Sequence, residues 1–257
     1  MKKLLQILNI VAFVAMVYVN YLSNALPING RTPGQISDSL PNEFVPAGLT
    51  FSIWGVIYLL LLGFVIYQAK DLFRSKANND SWFWQVGIFF ILTCAANIGW
   101  IFVWHYGYYL ISVGVMITFL VLLIIIYQRL NIGKVTVSSS VRWLVHHPFS
   151  VYLGWITVAT IANVTAYLVS IGWDGFGILE VYWAIIMIIV AAYIGQRVLS
   201  SRGDIGYGLV LIWAFFGIVL KQWSGFEGTP NNVAIAAIIG GILVFMAMLP
   251  PLVRSFR

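Results

Sequence analysis

Residues 148–170 read PFSVYLGWITVATIANVTAYLVS. A helix of about 20 residues, rising 1.5 Å per residue, crosses the roughly 30 Å hydrocarbon core of a bilayer, and this stretch is long and apolar enough to do so. Its polar and aromatic residues keep to one side. Tyr152, Trp155, Ala159 and Asn163 stand at i, i+3, i+7 and i+11, within an arc of about 80° at about 100° per residue. Ala166 and Ser170 extend that stripe, while Val151, Leu153, Ile161 and Leu168 lie around the rest of the helix. An asparagine amide without partners is costly in lipid, so Asn163 is expected to face other helices or a cavity. The special face of this helix should point inward.

The rest of the chain is made of similar material. It is 61% hydrophobic and 9% charged, with a mean hydropathy of +0.94, against about 25% charged residues in a soluble domain. An integral membrane protein is the class these values define. Eight spans are predicted, near 4–22, 47–69, 82–104, 108–128, 148–170, 177–199, 206–222 and 232–252. No run shows the alternating polarity of a barrel strand. The expected fold is therefore all-α, a polytopic bundle of about eight transmembrane helices. The first span reads as an uncleaved anchor: its apolar run is long, it holds Asn9 and Asn20, and no small-x-small cleavage site follows. With Cys94 as the single cysteine, an internal disulfide is excluded.

Charge sets the orientation. With the N-terminus cytoplasmic, the inside segments hold Lys2, Lys3, Lys70, Arg74, Lys76, Arg129, Lys134, Arg142, Arg197, Arg202, Arg254 and Arg257, 12 of the 14 basic residues. Only Arg31 and Lys221 fall outside. Cytoplasmic loops carry such an excess of Lys and Arg, so both termini are expected inside. The net charge of +6 is then a matter of topology, with the bilayer as partner and no nucleic acid. A bacterial inner membrane is the expected location.

Outside, residues 23–46 form the longest loop, rich in Asn, Ser, Pro and Gly, with turn signals at Asn29-Gly30 and Thr32-Pro33-Gly34. Long connections are connectors in most proteins and lids in some. The span that follows places Thr50, Trp54 and Tyr58 four residues apart, with Phe51 beside them. In the third span Thr93, Asn97, Trp100 and Trp104 share a face. Three helices thus each present tryptophan or tyrosine with a small polar group. Interfacial aromatic belts and asparagine-mediated packing account for such stripes; an internal pocket accounts for them equally well at Trp54, Asn97, Trp100, Trp155 and Asn163.

At these residues the chain resembles the tryptophan-rich sensory protein family, also called the translocator protein or peripheral benzodiazepine receptor family. The family's second helix opens with two prolines, a short aromatic stretch and Trp-x-x-x-Tyr, similar here to Pro46, Phe51 and Trp54 with Tyr58. Its third carries Asn-x-x-Trp, as Asn97 and Trp100 do. Its fifth carries Pro-Tyr-x-x-Trp with Ala and Asn at successive steps of four, matched at Tyr152, Trp155, Ala159 and Asn163. Ala47 stands for the second proline, and Val151 precedes Tyr152 where the family has proline, Pro148 lying three positions earlier. The family's unit ends near Ser170, so the resemblance divides the chain into a five-helix unit, 1–170, and three additional helices, 171–257.

The resemblance implies a bundle enclosing a pocket open towards the first loop. It also implies a hydrophobic planar ligand, a porphyrin or haem-type tetrapyrrole, a sterol or another lipid, with no obligatory cofactor. Trp54, Tyr58, Asn97, Trp100, Tyr152, Trp155, Ala159 and Asn163 would line it, Ala159 by leaving room. Flat macrocycles stack on tryptophan, and a few amides orient a ligand in an apolar site. Light-dependent porphyrin breakdown and homodimerisation follow from the same resemblance. The expected role is that of a membrane receptor or sensor in regulation or transport. The alternative is a secondary transporter of a small hydrophobic or anionic solute, although no inverted repeat supports it. No Cys/His cluster, hydrolase order or phosphate loop is present. His105 is expected near the outer surface, and His146-His147 in an inside loop as solvated side chains. Asp174, Glu180 and Glu227 are the acidic residues nearest the outer side of the added helices.

Overall fold

A computed structural model describes residues 1–73, 80–224 and 231–255; Arg74, Lys76, Glu227 and Arg257, used above, lie outside the described residues. The structure is helical, with α1 (Lys2–Ala25), α2 (Pro33–Asp38), α3 (Ile53–Gln68), α4 (Ser81–Val86), α5 (Phe89–His105), α6 (Tyr109–Arg129), α7 (Ser139–Val141), α8 (His147–Ser170), α9 (Glu180–Arg202), α10 (Ile205–Ser224) and α11 (Asn232–Ser255). Among the described residues seven helical stretches are long and apolar enough to cross a membrane, and α5 is a shorter apolar helix. The polytopic helical fold read from composition is what the chain adopts.

Two spans differ in detail from the expected ones. The third is broken. Gly87 takes φ of 49°, a conformation open to glycine and strained for other residues, and it separates the short α4 from α5. The fifth begins earlier than Pro148: α7 runs through a π-helical turn, Arg142–His146, straight into α8. His146 and His147 are consequently helical, and His146 is buried. His147 lies against the Trp143 ring, with centroids 4.6 Å apart. His105 is likewise buried, its Nδ1 2.6 Å from the Ile101 carbonyl oxygen.

The chain packs as two units, 1–33 with 54–153, and 34–53 with 154–257. This packing boundary cuts α8 between Leu153 and Gly154, whereas the motif-based division falls at the end of that helix.

The first unit is closed by α1. Its buried residues are Gln6, Asn9, Phe13, Met16, Asn20 and Ser23, alternating by three and four along one stripe. Leu4, Leu8, Val11, Val14 and Tyr18 are exposed on the other faces. In lipid this polarity is the stable one, because apolar side chains gain nothing by leaving the acyl chains while amides must find partners. At one end of the stripe Lys2 Nζ pairs with Asp71 Oδ2 at 2.6 Å. Gln6 Nε2 donates to Asp71 Oδ1 and to the Gln68 carbonyl, both at 2.6 Å, and Gln68 Nε2 donates back to the Gln6 carbonyl. Elsewhere in this unit Phe64 packs edge-on to Phe90 and Phe149, at 5.1 and 5.0 Å.

The second unit is held by close helix contacts at glycines. Gly195 faces Leu211 and Val244, and Gly208 faces Met248 and Leu199. Small residues let helix backbones approach in this way where no hydrophobic drive exists between helices. A 3-10 turn, Gly48–Ser52, lies against α10: Ala47 N donates to the Gly217 carbonyl and Trp213 Nε1 to the Thr50 carbonyl, both at 2.9 Å. Tyr207 OH donates to Thr157 Oγ1 at 3.0 Å, tying α10 to α8.

Candidate functional site

Four of the eight residues selected from the sequence meet in the first unit. Asn97 is fully buried on α5. Its Oδ1 accepts from Asn20 Nδ2 at 2.6 Å, and its Nδ2 donates to Tyr152 OH at 3.4 Å. Tyr152, also fully buried, turns its hydroxyl to Met16 Sδ at 3.8 Å. Phe119 and Trp54 pack edge-on to its ring, at 5.2 and 6.1 Å, and Trp54 stacks on Tyr58 at 5.6 Å. Both polar ends of the Asn97 amide are thus engaged by protein. Trp100 lies further along α5, stacked on Trp104 at 5.4 Å.

The remaining three stand on the part of α8 that belongs to the second unit. Trp155 is buried, with Phe51 edge-on at 5.9 Å. Asn163 is buried and Ala159 half-buried. The stripe read as one face from Tyr152 to Asn163 is one face, but its members belong to different packing units.

The second unit contains a cleft of about 560 Å3, within the size range of small-molecule sites. One wall is the last half of α8, with Ile161, Val164, Leu168 and Val169; the opposite wall is the start of α9, with Ala184 and Met187. Thr160 and Thr165 also border it, yet their hydroxyls bond to carbonyls of their own helix, Ile156 at 2.6 Å and Ile161 at 3.0 Å. That keeps the walls apolar. None of the eight sequence-selected residues borders this cleft.

The long first loop supplies a third side through Asn42, Glu43 and Phe44. It is fastened there. Asn42 Oδ1 accepts from the backbone N–H groups of Phe44 and Val45, at 3.2 and 2.9 Å. Gln222 Nε2 on α10 donates to the Glu43 carbonyl and to its Oε2, at 2.9 and 2.7 Å, and Asn231 holds Gln222 in turn at 2.8 Å. This part of the loop is a fixed wall.

Two tryptophans close one end. Trp173 and Trp183 both border the cleft, with rings 5.2 Å apart and inclined at 53°. Trp183 Nε1 donates to the Gly175 carbonyl at 3.0 Å, Asp174 Oδ1 accepts from Phe176 N at 3.0 Å, and the Phe176 ring packs edge-on to Trp173 at 5.3 Å. Asp174 and Glu180 stand at the same end, exposed. Among the described residues no group of three His, Cys, Asp or Glu side chains is placed to hold a metal ion.

The family model described as TSPO-like protein matches residues 6–250. The chain belongs to the TSPO-like family. No curated protein and no solved structure matches it. The TSPO-like match runs through both packing units, and through the helices beyond Ser170 as well as those before it. Trp173 and Trp183 were not among the residues selected from the sequence. The signal that could have found them is the loop itself, Trp173-Asp-Gly-Phe-Gly177. It is a tight turn that returns one tryptophan towards another only ten positions on.

Proposed function

We propose that this TSPO-like protein is a membrane receptor or sensor whose ligand, a flat hydrophobic molecule, lies in the cleft of the second unit, and that binding serves regulation or transport. The observation carrying this reading is the cleft itself: an apolar slot of about 560 Å3, closed at one end by Trp173 and Trp183. Flat ligands stack on indole faces, and apolar walls with few polar groups are the general form of such sites. The family suggests a tetrapyrrole, a sterol or another lipid. In the first unit Asn97 and Tyr152 are engaged by Asn20 and Met16, which favours packing over ligand contact for that pair.

An uncharged porphyrin diester titrated into the purified protein tests the reading by its absorbance shift. Saturable binding that Leu168→Trp weakens at least tenfold, and that the double variant Trp54→Phe, Trp155→Phe leaves unchanged, is the expected result. The reverse pattern would move the ligand to the residues chosen from the sequence. No saturable binding to folded protein would end the proposal.

A further inference from the structure

Among the described residues that border the cleft, the charges have one sign. None of these described residues is Lys, Arg or His, while Glu43, Asp174 and Glu180 are carboxylates. Glu43 is answered within the protein, by Gln222 and by the attraction of Lys221. Asp174 and Glu180 differ. Among the described residues neither carboxylate at the tryptophan end is joined in an ion pair, as Asp71 is with Lys2 and Asp80 with Lys70. Beside them stand two indole rings meeting at an angle. Cations are attracted to indole faces within about 6 Å of the ring centre, and quaternary ammonium groups are bound by aromatic rings in this way. A carboxylate entering the same corner would meet two like charges and the negative faces of the rings.

We infer that the cleft takes a hydrophobic ammonium, an apolar or flat aromatic body bearing one alkylated amine. Its charge sits at Trp173, Trp183, Asp174 and Glu180, and its body lies between α8 and α9. This rests on the reading that the cleft binds a ligand, and it narrows that ligand by charge.

Three pyrene probes with one linker and different ends, trimethylammonium, hydroxyl and carboxylate, distinguish the two claims. Binding is read by energy transfer from tryptophan in discs of zwitterionic lipid, with empty discs subtracted. The ammonium probe is expected to bind at least tenfold tighter than the carboxylate, with the alcohol between. The double variant Asp174→Asn, Glu180→Gln, which keeps the turn-forming amide and the helix start, should bring that ratio to within about twofold. Because both groups are exposed, the preference should also shrink as salt shortens the screening length to about 3 Å near 1 M. Trp183→Leu should weaken the ammonium probe more than the alcohol. Equal binding of all three probes to the native chain would overturn the charge preference and leave the cleft standing. Saturable binding of none would overturn both.

Discussion

Gly217 sits where α10 meets the turn that opens the second span, and a hydrogen is what fits there. A methyl at that position would overlap Thr50 Oγ1 and lie 2.9 Å from Pro46 Cβ. Both neighbours are buried, and the Thr50 carbonyl is held by Trp213, so the turn has little freedom to retreat. Gly217→Ala is expected to destabilise the protein by about 1–3 kcal/mol, the usual cost of overpacking, read as a lowered midpoint of thermal unfolding in detergent. Adding Thr50→Ala should return part of that loss, because the hydroxyl goes while the threonine Cβ remains. Additive effects of the two changes would show that they do not meet. In the sequence, Thr50 marked only a stripe, with no sign that Gly217 stands against it. Asn97 was legible as an inward amide from its spacing, yet its partner Asn20 was not: a helix periodicity says which way a residue points and not what stands opposite.

Among the elements, α1 most rewards attention to polarity. Its inner stripe of amides was legible in principle, since Gln6, Asn9, Phe13, Met16, Asn20 and Ser23 keep heptad steps. The usual amphipathic reading hides it because the apolar face is the outer one. The helix is fixed at one end by the Lys2–Asp71 pair, whose side chains are 12% and 1% exposed. Breaking a buried pair by removing one partner costs about 3–5 kcal/mol; here Lys2 can turn to water, so Asp71→Asn is expected to cost about 1–2 kcal/mol. Amine-reactive labelling of Lys2 should rise in that variant, with the rest of the lysine pattern unchanged. Unaltered labelling would mean that the pair does not fix the helix. The break between α4 and α5 was missed for a local reason. Apolar content runs unbroken through residues 82–104, and hydropathy is blind to a single residue of positive φ.

At the scale of the whole molecule, fold class and family were legible because composition and three short motifs carry them, and both concern quantities averaged over many residues. The cleft was not, because it depends on how far two helices stand apart. Orientation is the remaining global claim and is open to a direct check. Cys94 is buried, so cysteines added at the exposed Phe176 and Ser140 of a Cys94→Ser protein give clean reporters. An impermeant maleimide applied to intact cells should modify Phe176→Cys and reach Ser140→Cys only after permeabilisation. The opposite pattern would invert the topology drawn from the basic residues. The path of the chain between the packing units has a further consequence, for the order in which the protein can be made. It passes from one to the other at Pro33, returns at Ile53 and leaves again at Leu153. Residues 34–53 therefore emerge from the ribosome well before α10, the helix on which Ala47, Thr50 and Glu43 are held. A nascent chain stopped at Ser170 would carry that turn and loop without α10, the helix to which Ala47, Thr50 and Glu43 are bonded. Such a chain should be a target for membrane proteases, even though it contains all three motifs that carry the resemblance.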